Sequence, residues 1–203
     1  MLGKKFDQSV KTIVVGDSGV GKTCLLNRYI RDKFDDKTPT TLGVEFMAKI
    51  VETEKHRIEF QLWDTAGQEL FRAVTRGYYR GSAGAFIVFN LVDHDTFLSV
   101  SHWLQEIKET ARKDCVCILI GNQSDRTSDR QVSQEEIDAF VSEHSLQYFE
   151  TSAKTGENVT TAMMACLTQI EKLIEDGKLE SSNVEENNIV FAEDDQSTNK
   201  SCC

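Results

Sequence analysis

Gly16-Asp17-Ser18-Gly19-Val20-Gly21-Lys22-Thr23 constrains the fold of this chain more than any other stretch. The run Lys11-Thr12-Ile13-Val14-Val15 precedes it, and Cys24-Leu25-Leu26-Asn27-Arg28-Tyr29-Ile30 follows with helical spacing. Strand, Gly-rich turn and helix in that order form the setting of a phosphate-binding loop. Gly16, Gly19 and Gly21 permit positive φ and a close approach of backbone to ligand. Successive N–H groups then converge at a helix N-terminus, whose partial positive charge favours an anion. Lys22 would reach the outer phosphates of a nucleotide, and the Thr23 hydroxyl would ligate Mg2+. A Gly-rich turn with no ligand is the plainer alternative, and the remaining sequence weighs against it.

The chain then alternates between two periods. A polar stretch from Asp32 to Gly43, holding the single proline Pro39, reads as a long exposed loop. Val44 to Val51 and Arg57 to Trp63 alternate with period two and predict two antiparallel strands joined by the charged turn Glu52 to His56. Asp64-Thr65-Ala66-Gly67-Gln68 is expected to break the second of these, with a helical stretch running on to Tyr78-Tyr79. Gly84 to Leu91 and Cys115 to Ile120 are continuous apolar runs, as in parallel strands buried on both faces. Between them Phe97, Val100, Trp103, Leu104 and Ile107 share one helical face. Ile137, Phe140 and Val141 repeat that spacing, as do Val159, Met163, Cys166, Ile170 and Leu173, with a short strand around Tyr148-Phe149 between them. Such alternation predicts a mainly parallel sheet covered on both faces, with ligands at the strands' carboxyl ends.

Several function classes are disfavoured by bulk properties. A net charge of −10 over 203 residues argues against a general nucleic-acid binder. The N-terminus has no apolar stretch of signal-peptide length, so the chain is expected to start in the cytosol. Cys24, Cys115, Cys117 and Cys166 lie within apolar patterns and read as small buried hydrophobes without metal-ligand spacing. Cys202-Cys203 differs, being the last pair of a polar tail.

Four more clusters fall at the same predicted sheet edge as the Gly-rich loop. Asp64 is placed as a carboxylate holding Mg2+ directly or through water. Gly67 offers an N–H to a γ-phosphate, and Gln68 follows where it could orient a water. Gly121-Asn122-Gln123-Ser124-Asp125 closes one strand, and Thr151-Ser152-Ala153-Lys154 the next. Singly, each is a common cap or turn. The ordered set of five is what is hard to obtain by chance.

Over roughly residues 7–175 the sequence closely resembles the Rab family of small GTPases, within the Ras superfamily. Gly16 to Thr23 matches the phosphate loop, and Thr40-Thr41-Leu42-Gly43-Val44-Glu45-Phe46 the first switch. Trp63-Asp64-Thr65-Ala66-Gly67-Gln68-Glu69 matches the second, Tyr78-Tyr79-Arg80-Gly81-Ser82 a Rab-type signature, and Glu150 to Asn158 the last guanine loop. Phe71 to Arg76 and Gly156 to Val159 are nearest the recycling-endosome and Golgi branch. The resemblance implies an α/β P-loop NTPase fold: a six-stranded, mainly parallel sheet with one antiparallel strand and helices on both faces.

It also implies the site. GTP or GDP would be held by Ser18, Gly19, Val20, Gly21, Lys22, Thr23 and Cys24, with the Phe34 ring edge-on to the base. Asp125 would accept from guanine N1 and N2, Asn122 would hold the base loops, and the Ala153 N–H would donate to O6 between Ser152 and Lys154. Mg2+ would lie with Thr23, Thr41 and Asp64, with Thr41 closing only on GTP. Gln68, Lys22 and Gly67 would serve hydrolysis, slow until an activating protein supplies an arginine. Exchange factor, activating protein, GDP-dissociation inhibitor and effectors would read Thr38–Phe46 and Gly67–Tyr79 on a monomer. Two departures stand out. Gln123 occupies a position that is lysine in nearly all relatives, which implies weaker, faster-exchanging nucleotide, and Leu70 replaces a frequent arginine. A non-switching nucleotide-binding scaffold is therefore the rival reading; a small-metabolite kinase would need an acceptor site and basic lid that the sequence lacks.

From Asp176 the periodicity stops. Residues 1–175 read as the nucleotide-binding domain and 176–203 as a solvated acidic tail. The tail's Cys202-Cys203 resembles a doubly geranylgeranylated end, and two lipids anchor stably where one does not. The expected address is the cytoplasmic face of endosome- or Golgi-type membranes, with a cytosolic pool.

Overall fold

The computed structural model describes residues 6–67 and 72–179, side chains of 72–75 excepted. Gln68, the second-switch residues Glu69 to Phe71, and the tail from Glu180 through Cys202 and Cys203 lie outside the described residues.

Six strands, β1 (Gln8–Val15), β2 (Val44–Glu52), β3 (Arg57–Thr65), β4 (Gly84–Asn90), β5 (Val116–Asn122) and β6 (Gln147–Thr151), form one sheet in the order β2-β3-β1-β4-β5-β6. Every pairing is parallel except β2 with β3. The helices are α1 (Lys22–Arg31), α2 (Arg72–Tyr79), α3 (His94–Leu98), α4 (Val100–Thr110), α5 (Gln134–His144) and α6 (Val159–Glu175).

Alternation along each strand divides the interior into two cores. Val10 and Val14 of β1 point to the side of Leu25 and Leu26 of α1 and Met163, Leu167 and Ile170 of α6. Ile13 and Val15 point to the other side, with Tyr79, Trp103, Leu104, Ile107 and Ile137. Burying each large apolar side chain contributes about 1.5–3 kcal/mol, so both faces of β1 and β4 hold the sheet in register.

Two boundaries and one burial reading differ from the sequence expectation. β3 runs through Asp64 to Thr65 rather than breaking at Asp64, because β2 continues to pair beside it (Glu45 with Asp64, Val44 with Thr65) and Thr65 donates its hydroxyl to the Val14 carbonyl at 2.8 Å. The predicted single helical face from Phe97 to Ile107 belongs to two helices, α3 and α4, meeting at Ser99. The stripe survives because Ser99 keeps right-handed φ/ψ of −73° and −15°. Of the four cysteines read as buried, only Cys166 is enclosed; Cys24, Cys115 and Cys117 are half-buried.

Candidate functional site

β1 ends at Val15 and the chain turns through three glycines before α1 begins at Lys22. Gly16, Gly19 and Gly21 all have positive φ (140°, 82° and 93°), as their spacing predicts. At two of them the surroundings also exclude a side chain. A Cβ on Gly16 would lie 2.1 Å from the Val88 carbonyl oxygen, and one on Gly21 would lie 2.4 Å from Asn122 Nδ2. The loop thus wraps tightly enough to present backbone amides to its centre. The Lys22 ammonium crosses it, donating to the carbonyls of Gly16 and Asp17 at 2.8 Å each. Burial lowers the Lys22 pKa to about 8, with Asp64 and Asp17 pulling the other way. An anion beside it would replace the water it has lost.

Three oxygens meet next to this loop. Thr23 Oγ1 bonds Asp64 Oδ2 at 2.5 Å and lies 2.8 Å from Thr41 Oγ1, which itself reaches Asp64 Oδ2 at 3.3 Å. They come from α1, the loop before β2, and β3. Asp64 is fully buried, its other oxygen Oδ1 has no hydrogen-bond partner among the described residues, and burial raises its pKa against the pull of Thr23 and Lys22. A carboxylate with an orphaned oxygen beside two hydroxyls is a hard-oxygen donor set of the kind Mg2+ takes. Thr23 and Thr41 line the adjoining cavity and Asp64 stands behind them, which favours contact through water over direct ligation.

That cavity, about 560 Å³, gathers most of the residues singled out in the sequence: Ser18, Gly19, Gly21, Lys22, Thr23, Cys24, Phe34, Thr41, Gly67, Asn122, Asp125, Ala153 and Lys154. Val20 does not line it; its side chain is in the core, and its carbonyl accepts from Asn122 Nδ2 at 2.9 Å. Ser152 is buried behind the wall, where its hydroxyl donates to Asp125 Oδ1 at 2.7 Å and aims that carboxylate. Gln68 falls outside the described residues.

The far end of the cavity is a hydrogen-bonded frame centred on Asn122. Its Oδ1 accepts from Thr151 Oγ1 and from the Ala153 N–H, both at 3.3 Å, while its Nδ2 holds the Gly-rich loop. The Ala153 N–H expected to face guanine O6 is therefore directed at Asn122, in a bond long enough to be shared with a ligand. Phe34 stands 38% exposed at the rim, where a base would cover its ring.

Sequence reasoning missed three supports. Arg28 of α1 donates from Nε to the Ala153 carbonyl (2.8 Å) and from Nη2 to the Lys154 carbonyl (2.7 Å), fixing the loop after β6. Trp103 of α4 donates its indole N–H to Asp17 Oδ1 at 2.8 Å. Arg126 lines the cavity and donates to Gln123 Oε1 at 3.1 Å while pairing with Asp129. Adjacency to Asp125 was the only sequence signal for Arg126; the other two are contacts across the fold.

Comparison with known proteins agrees with this geometry. The profile of the Ras family matches residues 11–172. Ras-related protein Rab-4A of Rattus norvegicus and that of Homo sapiens are each 42% identical over 179 residues, covering 88% of this chain and 82% of theirs. The Danio rerio Rab-4A is 41% identical over the same length, 84% of its own. With the loop, the oxygen trio and the base frame in one cavity, and with matches of this extent, the chain belongs to the Ras family as a Rab small GTPase.

Proposed function

We infer that this chain is a guanine-nucleotide switch in which the loop carrying Thr41 reports whether a γ-phosphate is present. As a Rab small GTPase it binds GTP and GDP with Mg2+, hydrolyses GTP and regulates vesicle traffic. The observation that carries the switch reading is the convergence of Thr23, Thr41 and Asp64. Thr41 is the member held by a loop rather than by a strand or helix, so it is the one free to leave.

The residues divide the work as follows. Amides of Ser18 to Thr23 and the Lys22 ammonium hold the phosphates, and Asp125, aimed by Ser152, selects guanine by pairing two donors that adenine lacks in that arrangement. Thr23, Thr41 and Asp64 would hold Mg2+, which would supply neutralisation of phosphate charge. Gly67 abuts the Gly-rich loop, its backbone facing Asp17 and Ser18, and its N–H stabilises charge on the γ-phosphate while Gln68 orients the attacking water. Among the described residues the arginine lining the cavity is Arg126, at the base end. An arginine for the phosphate end comes from an activating protein, an effect worth about 10³–10⁵ in rate.

Loss of the γ-phosphate frees Thr41 and Gly67 together, since Ala66 donates to the Gly43 carbonyl at 2.8 Å and links the two segments. Partners meet an aromatic surface bridging both: Trp63 lies 5.1 Å from Phe46 and 5.6 Å from Tyr78, ring to ring, and Phe46 and Tyr78 are exposed. Exchange factor, activating protein, effectors and a GDP-dissociation inhibitor act there on a monomer. The tail beyond 175 connects this domain to geranylgeranyl groups on Cys202 and Cys203 at the cytoplasmic face of endosome- or Golgi-type membranes, with a cytosolic pool. Hydrogen exchange of residues 38–46 in the GDP form and in a non-hydrolysable GTP form tests the switch. Slower exchange with the GTP analogue, lost in Thr41→Ala, is the expected result. Equal exchange in both forms would leave the non-switching scaffold as the better reading.

A further inference from the structure

On the sheet edge opposite the nucleotide cavity, a cleft of about 1020 Å³ opens where α4, α5 and α6 end and where β5 and β6 begin. Its floor includes Ile107, Val116, Leu146 and Leu173. Its rim carries Lys108, Arg112, Lys113, Lys172 and Lys178 against two acids, Asp114 and Asp176. Both acids are already engaged, Asp114 by Arg112 at 3.0 Å and Asp176 by Lys178 at 3.2 Å. Lys108, Lys113 and Lys172 are exposed and make no ion pair among the described residues. A basic rim around an apolar floor is unexpected on a chain of net charge −10.

The chain leaves the domain at this cleft. Arg112 donates to the Lys178 carbonyl at 3.4 Å, and the Leu179 N–H donates to the Leu173 carbonyl at 3.2 Å. Beyond that exit the sequence holds Ile189-Val190-Phe191-Ala192, preceded by Glu185-Glu186 and followed by Glu193-Asp194-Asp195. Residues 180–188 reach about 30 Å when extended. A short tether places such a segment near its own domain at an effective concentration in the millimolar range.

We propose that the segment Glu185–Asp195 docks into this cleft of its own domain, with Ile189 to Ala192 on the apolar floor and the flanking carboxylates at Lys108, Lys113 and Lys172. Charge and polarity match along the segment: acid, apolar, acid meets base, apolar, base. Docking shortens the tether from the domain to Cys202 and Cys203 to the last eight residues, against 24 if the whole of 180–203 is extended. The distance at which partners meet the nucleotide face above a membrane then depends on whether the cleft is filled.

The test uses the full chain, without lipid and loaded with GDP, followed by amide hydrogen exchange at low and high salt. Amides of 189–192 should exchange at least about tenfold more slowly than in an unprotected chain, with a smaller effect at high salt and no dependence on protein concentration. Phe191→Asp in the tail, and Lys113→Glu with Lys172→Glu in the cleft, should each remove the protection while leaving GDP release unchanged. The charge-reversed tail Glu193→Lys with Asp194→Lys should restore it to the cleft variant. Exchange at unprotected rates, protection untouched by either set of substitutions, or protection that grows with protein concentration (the tail of a second copy) would each overturn the proposal.

Discussion

Gly67 carries no side chain, and its surroundings leave room for none. A Cβ there would lie 2.4 Å from the Asp17 carbonyl carbon and 2.5 Å from the Ser18 nitrogen, both backbone atoms of the Gly-rich loop. Gly67→Ala should push the segment after β3 off that loop. Single-turnover hydrolysis should fall by about 10²–10³, the loss typical of removing one donor to developing charge, while GDP release changes by less than about tenfold. Asn122 is the converse case, a residue whose side chain has three partners. Asn122→Ala strands the Val20 carbonyl, the Thr151 hydroxyl and the Ala153 N–H, each at about 1–3 kcal/mol, so fluorescent GDP should leave at least about 100-fold faster. Gln123 has a left-handed φ of 68°, lines the cavity, and accepts from Arg126 beside it. Restoring a charge with Gln123→Lys should slow GDP release about 10- to 150-fold, the equivalent of one charge-assisted bond; equal release rates would refute that account of the substitution.

Helix α1 does two jobs, and only one was legible. Its N-terminus follows directly from Gly21-Lys22-Thr23, but its support of the loop after β6 rests on Arg28 reaching residues more than a hundred positions away. Arg28→Ala should speed GDP release by about tenfold, since bonds to a charged donor contribute about 1.5–3 kcal/mol and this one is partly exposed. Strands β4 and β5 were visible as apolar runs, and the paired cores followed from alternation. The continuation of β3 through Asp64 and Thr65 was not visible, because a carboxylate and a hydroxyl enter a strand only when tertiary partners satisfy them, here the Thr23 and Thr41 hydroxyls donating to Asp64 and the Val14 carbonyl accepting from Thr65. The break at Ser99 was equally silent, since one residue with helical dihedrals leaves the apolar stripe in phase. At α5, Ser133 and Glu136 form a reciprocal cap, and the Ser133 hydrogen bonds, then His94, hold the Glu136 pKa down at about 2. A lowered carboxylate stabilises the fold above its unfolded value near 4.5, and that contribution is lost as pH falls toward 2. The difference in Tm between the protein and Glu136→Gln should therefore be present at pH 6 and shrink by pH 2–3.

Across the whole molecule, one sheet separates two ends with opposite character. At the carboxyl ends of β1, β3, β5 and β6 lie the Gly-rich loop, the oxygen trio and the base frame; at the other edge the chain exits beside a basic cleft. A parallel sheet makes this division automatic, because every loop of one sense emerges on the same side. The central claim is that the first end holds guanine nucleotide through Mg2+, and release of bound fluorescent GDP tests it most directly. The protein is chased with excess GTP or excess ATP, with Mg2+ present and after chelation. Competition by GTP alone, with release accelerated by chelation, is the predicted result. Equal competition by ATP would contradict the assignment of Asp125, and release indifferent to chelation would contradict that of Thr23, Thr41 and Asp64.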